Sequence, residues 1–153
     1  MTTLTTMDIR PADWQDLRAI EEIVEAAYAK YVERMGTRPG PMEVDYGEAL
    51  AYADLFVAVV DETVVGLSVL APQSDHLLIE NVAVMPSHQG RGVGGALLTH
   101  AEEWARRKGL RRLRLYTHES MVENIALYER RGYREERRAP KHGATLVFMA
   151  KRI

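Results

Sequence analysis

The chain contains no cysteine, and this absence removes disulfides, thiolate metal sites and a cysteine nucleophile. Its opening stretch, MTTLTTMDIRP, has neither the basic segment nor the apolar core of a secretory signal. No apolar run approaches the roughly 18 residues of a membrane-spanning helix, so a cytoplasmic protein without a membrane partner is expected. A large charge of one sign is also missing. The formal net charge is -2 at pH 7, whereas a general nucleic-acid binder shows a strongly basic surface. The histidines, His76, His88, His100, His118 and His142, have no H-x-x-x-H spacing, so no metal site is expected.

What is present suits an ordinary globular protein. The 153 residues are 46% hydrophobic and 27% charged, enough for one domain over 1–153 with a core that needs no staples. TTMDIR reads as a short strand. Asp13 is placed as the N-cap of a helix through WQDLRAIEEIVEAAYAKYVERM, ending near Gly36. Within it Leu17, Ile20, Ile23, Val24, Ala27, Tyr28 and Tyr31 recur at helical spacing. An irregular connection with two prolines follows, in which MEVDYGEALAYA is long enough for a short second helix. Two β-rich runs around Asp61-Glu62-Thr63 read as a hairpin. HLLIENVAVMP, nearly all apolar, reads as a central strand. Then come a glycine loop, the helix VGGALLTHAEEWARRKG, the strand RLRLYTH, the helix VENIALYERRG, and two strands, YREERRA and ATLVFMAKR. The order β-α-α-β-β-β-α-β-α-β-β predicts one mixed α/β layer structure.

The glycine loop, MPSHQGRGVGGALL over residues 85–98, lies between a buried strand and a helix start. Unpaired N–H groups and the positive end of the helix dipole make such a start a natural anion site. Gly90, Gly92, Gly94 and Gly95 let the chain approach a phosphate closely, and Arg91 adds a cation. Several readings compete. Gly90, Gly92 and Gly95 match G-x-G-x-x-G, but three or four strands precede them and no acidic residue follows at the dinucleotide-fold distance. A P-loop would need a lysine that GGALL lacks. A plain strand-to-helix turn is the structural alternative. The remaining reading is Gln89-Gly90-Arg91-Gly92-Val93-Gly94, which matches Q/R-x-x-G-x-G/A.

That last pattern is the coenzyme A pyrophosphate loop of GNAT-type N-acetyltransferases, and the chain resembles that family over essentially its whole length. IENVAVMPSHQGRGVGGALLTHAEEWARRKG carries the resemblance most specifically. ENIALYERRGY adds a second motif, with Asn124, Tyr128, Gly132 and Tyr133 at the matching positions. The resemblance implies the GNAT α/β (α+β) fold, a mixed and mostly antiparallel sheet of about seven strands flanked by about four helices. It also implies acetyl-coenzyme A as cosubstrate, a small-molecule or peptide amine as acceptor, and a homodimer as one assembly. The cofactor residues it implies are Val82, Ala83 and Val84 through their main chain, Gln89, Gly90, Arg91, Gly92, Val93, Gly94 and Gly95 in the loop, and Asn124 and Tyr128 on the later helix.

Each chemical demand of such a transfer has a candidate. A protonated amine has no lone pair. Neutralising a lysine-like amine of pKa about 10.4 at pH 7 costs about 4 to 5 kcal/mol, against about 1 kcal/mol for an α-amine near 7.7. A base is therefore most useful for alkyl amines, and Glu80, inside LLIENVAV, is the candidate. Alternation sets it on the face of Val82 and Val84 unless a bulge intervenes, and partial burial would raise its pKa. A structural ion pair is the competing reading. Tyr128 is implied as the acid that protonates the departing thiolate, with core packing as its alternative. Asn124, four residues earlier, shares its helical face.

For the acceptor, the connection MGTRPGPMEVDYGE carries Glu43, Asp45 and Glu48, an acidic surface that would draw a cationic amine, with Tyr46 as an aromatic wall. A solvated loop is the competing reading. His118 and Glu119 are placed to line the same cleft and offer a substitute base. The arginines of ARRKGLRRLR and ERRGYREERR read as a solvated face, some within reach of the coenzyme's 3′-phosphate. A non-catalytic acyl-coenzyme A-binding module remains the alternative to an enzyme.

Overall fold

The computed structural model describes residues 6–141 and 143–153; Thr5, at the start of the first expected strand, and His142 fall outside them. Seven strands form one sheet: β1 (Met7–Pro11), β2 (Asp54–Val60), β3 (Thr63–Pro72), β4 (Leu77–Val84), β5 (Arg112–His118), β6 (Arg134–Lys141) and β7 (Ala144–Arg152). Their order is β1-β2-β3-β4-β5-β7-β6, so the apolar β4 is central, as its composition predicts. Every pairing is antiparallel except β4 with β5. Four helices flank the sheet: α1 (Leu17–Met35), α2 (Tyr46–Tyr52), α3 (Val93–Arg107) and α4 (Val122–Arg130). No helix among the described residues is long and apolar enough to cross a membrane.

Local chemistry explains most boundaries. Asp13 caps as expected, but a 3-10 turn over Trp14–Asp16 comes before α1, and Asp13 and Asp16 form a capping box around it. The Asp16 carboxylate also accepts a two-pronged grip from Arg10 at 2.8 and 2.9 Å, tying β1 to the helix start. Arg10 holds the Asp16 carboxyl below its usual range. The second helix starts at Tyr46 rather than Met42, because a 3-10 turn over Gly40–Glu43 intervenes and Asp45 supplies the cap. The β2–β3 hairpin turns through Asp61 and Glu62 at φ 48° and 66°, the left-handed pair that fits the strand twist.

Two cores sandwich the sheet. Ile20, Ile23, Val24, Tyr28 and Tyr31 of α1 pack with Leu55, Val57, Leu67 and Ala83 on one face. Val93, Leu97, Leu98 and Ala101 of α3 pack with Leu77, Ile79, Val82, Leu113 and Met149 on the other. Two irregularities in β4 create the site. Opposite β3, Val69 pairs with Asn81 and Leu70 with Ile79, so Glu80 is the extra residue of a bulge. Toward β5, pairing ends after Leu77 with Leu113 and Leu78 with Arg114. Beyond those two pairs the strands part.

Candidate active site

A cleft of about 390 Å³ opens where β4 and β5 separate. Val82, Ala83 and Val84 line it from β4, and their cleft-side backbone has no β5 partner. Gln89, Gly90, Gly92, Gly94 and Gly95 line it from the loop. Gly90 and Gly92, at φ 76° and 87°, turn the chain so that α3 begins facing the cleft. Gly92 offers no side-chain cap, and the first helical bond there runs from Ala96 N–H to the Gly92 carbonyl. The N–H groups of Val93, Gly94 and Gly95 therefore remain for an anion. Gln89 has a different part: its Nε2 donates to the Val84 carbonyl at 3.1 Å and ties the loop to the strand.

The cations come from α1 and from the end of α4. Arg131 lies across Gly95 so closely that a Cβ there would come within 1.6 Å of its Nη2. Lys30 and Arg130 line the same cleft. Arg91, expected to reach the anion, is exposed and absent from the lining. Val93 sends its side chain into the core, where a Cβ on Gly66 would lie 3.0 Å from it, and offers only its main chain. Arg130 and Arg131 are exposed, as the solvated-face reading expects, and line the cleft as well. Asn124, Leu127 and Tyr128 complete the wall. Glu123, also lining the cleft, is held by Arg34 at 2.7 and 2.8 Å and by the Tyr31 hydroxyl at 3.1 Å, a clamp between α1 and α4. Arg34 brings the Glu123 carboxyl down to about 2.

A second cavity of about 550 Å³ lies between the α1–α2 connection and β4, β5 and β7, and Tyr28, Asn124 and Tyr128 line both spaces. Glu80 lines this one. The bulge overturns the simple alternation: Val82 packs in the α3 core, while Glu80 keeps to the side of Asn81, whose amide meets Tyr28 and Tyr46. Burial of part of the side chain raises the Glu80 carboxyl above its usual range. Tyr128 is buried, which pushes its hydroxyl up to about 12, and that hydroxyl has no hydrogen-bond partner among the described residues.

Sequence reasoning missed the network behind Glu80. The Tyr28 hydroxyl donates to Asn81 Oδ1, Asn81 Nδ2 donates to the Tyr46 hydroxyl at 3.0 Å, and Tyr46 donates to the Pro41 carbonyl at 2.7 Å. This chain joins α1, the bulge and the α1–α2 connection. Burial pushes the Tyr46 hydroxyl up to about 12. A polar residue inside an apolar strand was the available signal for Asn81.

The acidic connection does not present its acids. Glu43 pairs with Arg38 at 2.9 Å, and Asp45 accepts the Glu48 N–H at 3.1 Å as a helix cap. None of Glu43, Asp45 and Glu48 lines the cavity, whereas Arg38 and Tyr46 do. His118 lines it as expected, but its Nδ1 accepts the Ser120 N–H at 3.0 Å. The neutral ring then carries its proton on Nε2, a donor rather than a base. Glu119 pairs with Arg138 at 3.6 Å and stays out of the lining. No group of three or more metal-ligating side chains occurs among the described residues.

The sequence model of the acetyltransferase (GNAT) family matches residues 17–133. A streptothricin acetyltransferase of Streptomyces lavendulae is 33% identical over 81 residues, 51% of this chain and 43% of that protein. The chain spans less than half the length of the curated relatives it matches. Among solved structures, the PaiA N-acetyltransferase of Thermoplasma acidophilum, in complex with coenzyme A, superposes with a TM-score of 0.79 at 19% identity, covering 97% of this chain and 99% of that one. A GNAT family acetyltransferase of Elizabethkingia anophelis with acetyl-CoA bound gives 0.69 at 20% identity, covering 96% and 98%.

Proposed function

The chain belongs to the GNAT family of acetyltransferases, and from that membership we propose that it moves an acetyl group from acetyl-coenzyme A to a primary amine, by direct attack within a ternary complex. The observation that carries this reading is the meeting of two cavities at Tyr28, Asn124 and Tyr128. One has an open helix N-terminus and cations, and the other has a carboxylate.

The residues of the cleft fit the coenzyme. The free N–H groups of Val93, Gly94 and Gly95 and the Arg131 guanidinium suit a pyrophosphate, with Lys30 and Arg130 for further anionic charge. The edge of Val82 to Val84 that β5 leaves unpaired, with the Val84 carbonyl already held by Gln89, suits an amide-bearing arm and, at its end, a carbonyl oxygen that gains negative charge. When bound, the coenzyme supplies an activated thioester. Glu80 takes the proton of the incoming ammonium, directly or through water, and its raised pKa improves it for that task. Tyr128 stays protonated at neutral pH and offers its O–H to the departing sulfur. The same desolvation that raises the phenol would also raise a thiolate formed beside it, which narrows the gap between donor and acceptor.

Thermal melting with acetyl-coenzyme A, coenzyme A, NAD and ATP, followed by an amine panel read by free-thiol release, tests the reading. A rise in Tm with the two coenzyme A species alone and thiol release with an amine are expected. Stabilisation without turnover on any amine would make the protein a non-catalytic acyl-coenzyme A-binding module. No stabilisation at saturation would overturn both readings.

A further inference from the structure

The charges around the acceptor cavity run against a polycationic acceptor. Among the described residues its lining holds one carboxylate, Glu80, and the basic side chains of Arg38 and Lys141. Arg38 is already matched by Glu25 at 2.6 Å and Glu43 at 2.9 Å. Lys141, at the end of β6, has no carboxylate within salt-bridge distance among the described residues and stands 5.8 Å from the centre of the Tyr116 ring.

Tyr116 belongs to the half of the sheet face that α1, lying over β3 and β4, leaves uncovered. On that face Tyr116 pairs across to Phe148, and Arg137 lies over the Phe148 ring at 3.9 Å. Arg112 and Arg114, beside them, share the single carboxylate of Glu136. The cavity therefore runs from Glu80 to Tyr116 and Lys141, beyond which the sheet face continues as an aromatic, basic platform.

Resting on the acetyltransferase reading, we infer that the acceptor carries an anionic group at the end opposite its amine, with the amine at Glu80 and the anion at Lys141, backed by Arg137. Glu80 and Lys141 lie three strands apart in the order β4-β5-β7-β6, and Lys141 stands four residues beyond the level of Tyr116 and Phe148, so their backbones are on the order of 20 Å apart, a span that the two long side chains shorten. Both side chains reach into the cavity, so the amine and the anion are on the order of 10 Å apart. That is the length of about three extended peptide residues. A second cation on the acceptor would meet Lys141 instead.

The experiment compares matched acceptors on the full chain with acetyl-coenzyme A. One pair is peptidic, Ala-Tyr-Glu-Glu against Ala-Tyr-Gln-Gln, both amidated at the C-terminus. The other is small, 8-aminooctanoate against octylamine. Whichever series turns over identifies the source of the anion, and its anionic member is expected to lead in kcat/KM by about fivefold, the scale of one partly exposed ion pair. In Lys141→Gln the ratio should fall to about one, and in Lys141→Glu it should invert. Because each ratio is internal to one variant, loss of folded protein does not imitate the effect. Equal or better turnover of the neutral members by the unmodified chain, or ratios untouched by both substitutions, would overturn the anionic acceptor and leave the acetyltransferase intact. Failure of the underlying reading looks different, with no thiol release from any amine.

Discussion

The two cavities that meet at Tyr128 are built from different materials. The cofactor cleft is mostly main chain: a strand edge without a partner, a glycine turn, and the first N–H groups of α3. The acceptor cavity is mostly side chain, its shape set by hydrogen bonds between Tyr28, Asn81 and Tyr46, residues far apart in sequence. A surface made of backbone tolerates change in the residues that supply it, provided that glycine remains where a side chain would intrude. A surface made of side chains is redefined by one substitution. On the proposed reading, the coenzyme lies on the first and the acceptor on the second.

The comparison is broken most severely at Glu80. Glu80→Gln should lower kcat for an alkyl amine by about 10²-fold, within the usual range for loss of a general base, while the rise in Tm with acetyl-coenzyme A persists. The loss should be smaller for an α-amine, which is easier to deprotonate; an equal loss for both would contradict the assignment. Asn81→Ala comes next. It strands the Tyr28 hydroxyl and removes one of the two hydrogen bonds of the Tyr46 hydroxyl, which keeps the Pro41 carbonyl, and at about 1 to 3 kcal/mol for a buried unsatisfied group the denaturation midpoint should drop clearly, with amine KM rising. An unchanged midpoint would show that the acceptor cavity does not depend on that network.

A smaller effect falls on the cofactor side. Arg131→Gln should weaken acetyl-coenzyme A binding about fivefold, as expected for one charge-assisted contact, and should flatten its salt dependence while leaving amine KM unaltered. Calorimetric titration at two ionic strengths reads both. The smallest effect is one of pH. Because burial raises the Glu80 carboxyl and the base works deprotonated, the acidic limb of kcat/KM should lie above the ordinary carboxylate range. It should move or vanish in Glu80→Gln, and a limb unmoved by that change would belong to another group.

The same contrast governs what could be read from the sequence. Helix faces, caps and the glycine turn depend on neighbours within a few positions, so Ile20 to Tyr31, Asp13 and Gly90 to Gly95 announced themselves. The face of Glu80 did not, because it depends on how β4 registers against β3, and alternation alone gives the wrong side once Val69 pairs with Asn81. Arg131 was hidden for a related reason: only folding lays the end of α4 over Gly95. The acidic connection was misread despite a usable signal. Asp45 and Glu48 stand at capping-box spacing, and Arg38 lies close enough in the chain to neutralise Glu43.

The early end of pairing between β4 and β5 makes the sheet two plates, one of four strands and one of three, joined along a seam only two residue pairs long. A sheet missing its middle rungs should be least stiff along that line. An arm of amides laid into the gap would serve as mortar, lending the missing rungs for as long as it stays. Each catalytic cycle would then complete the sheet and part it again, coupling the residence of the cosubstrate to the rigidity of the whole fold.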